Sequence, residues 1–106
     1  MNQELQYCVG LNLGPQEEHS SMAVMERRLD AETESGYTFT VVGLERCPQG
    51  TPYWGVVEWV KVLLADYPLE QIAALTVGGT VVDQTVVDLL EQAGFGDKLE
   101  VVVITD

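Results

Sequence analysis

Basic residues are scarce in this sequence: five Lys and Arg stand against seventeen Asp and Glu, a formal net charge of −12 over 106 residues. Proteins that bind nucleic acid draw much of their affinity from Lys and Arg at phosphates. With Arg27-Arg28 as the one adjacent basic pair, a direct hold on DNA or RNA is not expected. An acidic surface chiefly gives solubility; its sharper reading is a surface that imitates nucleic acid and occupies a basic protein. Histidine occurs once, at His19, and cysteine twice, at Cys8 and Cys47, with no CxxC and no Cys/His cluster. That speaks against a zinc site, and the two thiols read as small apolar residues buried in a reducing compartment. No apolar run approaches the ~20 residues that span a bilayer. The start, Met1-Asn2-Gln3-Glu4, lacks the basic and apolar regions of a signal peptide, so the expected location is the cytoplasm. No repeat, low-complexity tract or long Pro/Gly/Ser linker divides the chain, and residues 1–106 read as one domain.

What is present is hydrophobic patterning of two periods. In residues 5–13, Tyr7, Val9, Leu11 and Leu13 alternate with Gly10 and Asn12, the period of a strand. Gly14-Pro15 ends it. Residues 21–28 and 37–46 read as second and third strands, separated by the turn-like run 30–36. Connections this short favour an antiparallel meander. The period then changes. Thr51-Pro52 predicts a helix start with a hydroxyl N-cap and proline at the first helical position. Tyr53, Val56, Val57, Val60, Leu63, Leu64 and Tyr67 follow at helical spacing, and Pro68 ends the helix. Residues 72–77 form a fourth strand. Thr80-Val81-Val82-Asp83 reads as a capping box opening a second helix, with Val86, Leu89, Leu90 and Ala93 as its apolar stripe and Gly94 as its C-cap. Residues 99–105 are nearly continuous in Val and Ile, as expected of a strand covered on both faces. The predicted fold is α/β: a mixed five-stranded sheet, three antiparallel strands and then helix-strand-helix-strand, with the first strand central.

That order is ribonuclease H-like, and the residues carry the likeness further. Val9-Gly10-Leu11-Asn12-Leu13-Gly14 resembles the first-strand motif of that superfamily, hydrophobic-Gly-hydrophobic-Asp-hydrophobic-Gly. Residues 44–53, Leu-Glu-Arg-Cys-Pro-Gln-Gly-Thr-Pro-Tyr, resemble the third-strand exit of the nuclease domain of phage terminase large subunits. Val77-Gly78-Gly79-Thr80 and the run 86–94 resemble the fourth strand and following helix of those domains. The resemblance covers nearly the whole of residues 7–105; no segment corresponds to a terminase's ATPase domain. It implies a site where carboxylates hold Mg²⁺ or Mn²⁺, which activate water and steady the leaving oxygen of a phosphodiester. Such ions need hard anionic oxygen ligands. The resemblance places the first two carboxylates at positions 12 and 78, where this chain has Asn12 and Gly78. It places a further one near Asp106, and glycines where Val81 and Asp83 stand.

The sequence therefore predicts a fold kept and a catalytic site lost. No catalytic residue, metal or other cofactor is expected, and the domain reads as a protein-interaction module or a phage-derived remnant. Asn12 and Gly78 are expected to lie side by side at the C-terminal ends of neighbouring parallel strands, above a shallow, acid-poor cleft bordered by Glu18 and Asp83. An alternative is a surviving metal-dependent phosphodiesterase that takes its ligands from Glu18, Asp83 or Asp88 and binds Mg²⁺ or Mn²⁺. Each of these acids has a plain reading as well: loop, helix start and helix surface. His19 beside Glu18 is a candidate general base, and Ser20-Ser21 has no partnered base. Trp54 and Trp59 lie off the main stripe of the first helix, Trp54 with Glu58 and Lys61. They are candidate contacts for a protein partner or a homodimer.

Overall fold

The computed structural model describes residues 5–14, 19–79 and 82–103. Five strands form one sheet: β1 (Leu5–Asn12), β2 (Ser21–Leu29), β3 (Tyr37–Arg46), β4 (Ile72–Gly79) and β5 (Leu99–Val103). Their spatial order is β3-β2-β1-β4-β5, so β1 is central. β1 pairs antiparallel with β2, and β2 with β3. β4 joins the other side of β1 in parallel, and β5 runs parallel to β4. Each parallel neighbour is reached through a helix: α1 (Tyr53–Leu64) before β4, and α2 (Gln84–Leu90) before β5.

One face of this sheet makes the core. Val9 and Leu11 of β1 pair in register with Val24 and Met22 of β2 and with Leu75 and Val77 of β4, so their side chains share a face. Against them pack Val56, Val57, Val60 and Leu64 of α1, with Val86 and Leu90 of α2. Leu75, Val77, Val60, Val86 and Leu90 are wholly buried, each worth about 1.5–3 kcal/mol in transfer free energy. Both helices lie on this face, and the molecule has two layers. Among the described residues nothing packs over the opposite face of the sheet.

Several local expectations change. α1 starts at Tyr53 with Pro52 in the cap position and no side-chain cap. The Thr51 hydroxyl instead donates to the Pro48 carbonyl at 2.6 Å, which turns its methyl toward the helix, where a Cβ on Gly55 would meet it at 2.9 Å. The N-cap of α2 is Asp83, whose Oδ1 accepts from the Thr85 amide at 2.8 Å. A carboxylate there satisfies an orphan N–H and meets the positive end of the helix; Thr80 and Val81 lie outside the described residues. Gly94 has φ +103° and breaks the helical path after α2, the backbone a C-cap glycine supplies.

The largest departure is β5. Its continuous Val run predicts cover on both faces, yet Val101, Val102 and Val103 are each about half exposed, at 49%, 48% and 57%. The strand is the sheet's edge and pairs only with β4. Cys47 sits one residue beyond β3 and is buried. Among the described residues no helix is long and apolar enough to cross a membrane.

Candidate functional site

Strand alternation decides what reaches the open face. In β1 the residues between Val9, Leu11 and Leu13 are Gly10 and Asn12, both exposed. In β4 the equivalents are Thr76 and Gly78. The parallel register sets Gly10 beside Thr76 and Asn12 beside Gly78, and the Leu13 amide donates to the Gly78 carbonyl at 2.8 Å, locking the two strand ends together. Asn12 and Gly78 are therefore neighbours at the C-terminal ends of adjacent parallel strands near the sheet's centre. In open α/β sheets such ends are where ligands bind.

A shallow hollow of about 360 Å³ lies over this spot, lined by Gly10, Asn12, Ala23, Leu44, Thr76 and Gly78 among others. Small residues at its floor leave the space. No carboxylate lines it among the described residues, and Asp83, expected on its border, is not part of its wall. Glu18, the other expected border, lies outside the described residues, as does Asp106.

Among the described residues the side chains lining this spot carry no charge. Asn12 offers a neutral carbonyl oxygen and Gly78 offers no side chain, whereas Mg²⁺ is held through carboxylates. Among the described residues no group of three or more His, Cys, Asp and Glu converges. Asp83 is engaged as the α2 cap. Asp88 is on the exposed side of α2, accepting from the Gln84 side-chain amide at 2.9 Å, the surface position its spacing predicts. His19 is directed elsewhere: its Nδ1 lies 2.9 Å from the Cys47 carbonyl, an acceptor, so this nitrogen carries the proton. Ser20 is buried, and its Oγ accepts from the Gly14 amide at 3.2 Å. Its carbonyl accepts from the Cys47 amide at 2.8 Å. His19 and Ser20 thus tie the end of β1 to the exit of β3, a structural corner.

Trp59 is half-buried and packs against the core, while Trp54 is 67% exposed. Trp54 shares a surface cleft between α1 and α2 with Glu58, Lys61, Leu89 and Ala93, and Lys61 pairs with Glu58 at 3.3 Å. Sequence patterning passed over Leu44, which is 74% exposed on the open face beside the hollow. It lies opposite Ala23 in register, a pairing that the sequence of β3 does not record.

The architecture is a ribonuclease H-like fold of the terminase-nuclease kind. The large terminase nuclease from thermophilic phage G20c, in a structure with bound zinc, matches 99% of this chain at TM-score 0.61 and 20% identity; the chain covers 52% of it. The same nuclease with bound magnesium matches 97% of the chain at TM-score 0.59 and 19% identity, with 47% of its own length covered. The large terminase of another thermophilic bacteriophage matches 95% of the chain at TM-score 0.66 and 13% identity. The chain spans only 23% of that protein's length, and about half of the nuclease. At such identities the likeness establishes the fold. Neither a protein-family model nor a curated protein sequence matches the chain.

Proposed function

We propose that this domain is a terminase-nuclease-like fold without nuclease chemistry, acting as a protein-interaction module. The observation that carries the reading is Asn12 beside Gly78 at the strand ends, where the family resemblance expects a pair of acids. The G20c nuclease structures hold magnesium or zinc; in this chain the hollow at the strand ends is lined by uncharged residues. Such a lining accommodates apolar groups and offers the Ser21 and Thr76 hydroxyls and the Asn12 amide for hydrogen bonds. It does not compensate the charge of a divalent ion. Exposed Trp54 on α1 supports a protein contact as the domain's mode of action, since aromatics are enriched in interfaces.

The test is restoration. Calorimetric Mn²⁺ titration of the wild-type chain is expected to give no saturable binding, and Asn12→Asp with Gly78→Asp is expected to create it. Plasmid DNA incubated with Mg²⁺ or Mn²⁺ should stay supercoiled with the wild type. Metal-dependent nicking that disappears on Asp83→Ala would overturn the proposal and move the site to the cap of α2. No gain in metal affinity by the double variant would count against matching positions 12 and 78 to the metal-binding acids.

A further inference from the structure

The open face of the sheet differs chemically from the rest of the molecule. One row across it runs Leu44, Ala23, Gly10, Thr76, Glu100. The row toward the strand ends begins with Arg46 and ends with Val102, through Asn12 and Gly78. On the β3 side, exposed Phe39 and Val41 continue the apolar surface. Among the described residues this face carries Arg27, Arg46 and a single acid, Glu100, although the chain as a whole stands at −12. Exposed apolar surface of this extent marks a contact.

We propose that this face is the interface of a homodimer in which two sheets pack face to face about a two-fold axis running along the strands, with Leu44 of each copy seated in the other's hollow above Gly10, Thr76 and Gly78. Charge favours a second copy as the occupant. Among the described residues the acids lie almost entirely off this face, so two copies meet here without bringing those carboxylates together. Charge also selects the axis. An axis across the strands would lay β2 and β3 of one copy over the same strands of the other, setting Arg46 near Arg27. An axis along the strands lays β3, with Arg46, over the uncharged β4 of the second copy.

With the axis between β1 and β2, β3 falls over β4 of the second copy. Leu44, at 74% exposure, then faces Thr76 and the two flanking glycines, a protruding side chain over a hollow of about 360 Å³. Strands ~4.8 Å apart and ~3.3 Å per residue give each face roughly 500–600 Å². The total of about 1,000–1,200 Å² is at the lower bound for a specific interface, so association should depend on concentration. Isologous contacts of this kind are the commonest in homo-oligomers. Dimerisation would cover Asn12 and Gly78.

Sedimentation velocity of the purified full chain, from low to high micromolar concentration at physiological salt, tests this. The wild type is expected to shift from monomer to dimer. Leu44→Asp and Gly10→Lys should each raise the dimer dissociation constant at least about tenfold, and Trp54→Ala should leave it unchanged. The two variants add opposite charges, so loss in both reads as a lost fit rather than net repulsion. Leu44 is largely exposed and a Cβ on Gly10 meets nothing within 4 Å; circular dichroism of each variant checks the fold, and either folded variant decides alone. A wild type that stays monomeric throughout, variants that dimerise as the wild type does, or a dimer abolished by Trp54→Ala would each overturn the proposal. Metal titration below the dimer dissociation constant, where the monomer leaves Asn12 and Gly78 open, reads the other proposal separately.

Discussion

At the scale of single residues, burial separates side chains that hold the fold from those that are free to serve contacts. Leu90 is wholly buried between α2 and the sheet, and truncation there removes transfer free energy and leaves a cavity. Leu90→Ala should cost about 2–5 kcal/mol, measured by urea unfolding. Leu44→Ala, at a site 74% exposed, should stay within about 0.5 kcal/mol of wild type in the same experiment. Equal losses at the two positions would mean that the open face is structural. Glycines divide in the same way. Gly94 sits at φ +103°, where a Cβ is strained whatever the space around it, so Gly94→Ala should destabilise by roughly 1 kcal/mol or more. The added methyl of Gly10→Ala enters open space on a strand, and stability should hold or rise slightly. The residues that resemble a family motif therefore do different work: Leu11 and Val77 fill the core, while Asn12 and Gly78 stand at the surface between them with neither packing nor charge to contribute.

At the scale of elements, the β2–β3 turn is built around Asp30. Its Oδ2 accepts from the Thr38 hydroxyl at 2.7 Å and its Oδ1 from the Glu32 amide at 3.1 Å. The Thr38 bond chiefly, and the Glu32 amide after it, hold the Asp30 carboxyl below its ordinary value. A lowered carboxyl stabilises the folded turn above the unfolded pKa, and that contribution is lost as pH falls through the folded one. Thr38→Val should raise the Asp30 pKa toward the ordinary carboxylate value, read by NMR titration of its side-chain carbon. An unmoved titration would assign the lowering to the backbone amide. Elements with a clear period were legible in the sequence. The alternation of Val9 and Leu11 around Gly10, and the 3.6-residue stripe from Tyr53 to Leu64, follow from one face meeting a core. The pairing of Asn12 with Gly78 followed from a short meander plus a crossover helix, because that order leaves β1 central. Ends were less legible. Thr51 and Asp83 are both good caps by composition, and only the path of the chain decides that Thr51 bonds back to Pro48 while Asp83 caps α2. For β5, apolar content reads the same in a doubly covered strand and in an exposed edge, since side chains do not record what lies across from them. Leu44 was missed for the same reason.

At the scale of the whole molecule, charge sets what the domain can approach. Duplex DNA presents one negative charge per ~1.7 Å of axis, and binding grows with the number of phosphates that Lys and Arg neutralise. Three of the chain's five basic residues are already engaged. Arg28 Nε pairs with Glu26 at 2.5 Å, and Lys61 pairs with Glu58 at 3.3 Å. Arg27 donates to the Gln6 side chain, with its guanidinium 4.7 Å over the Tyr37 ring. Arg46 and Lys98 stand on β3 and ahead of β5, too few to form a basic stripe. The rest of the surface carries the excess that gives −12, and at ~0.15 M salt it repels a polyanion within a screening length of about 8 Å. Fluorescence anisotropy with a labelled duplex should therefore show no binding at micromolar protein and physiological salt. The same result is expected of Asn12→Asp with Gly78→Asp, which deepens the negative charge, in the absence of added metal. Saturable binding by the wild type that weakens steeply as salt rises would show that phosphates are being neutralised after all. It would return the domain to the class of nucleic-acid binders, against both the charge balance and the uncharged hollow at the ends of β1 and β4.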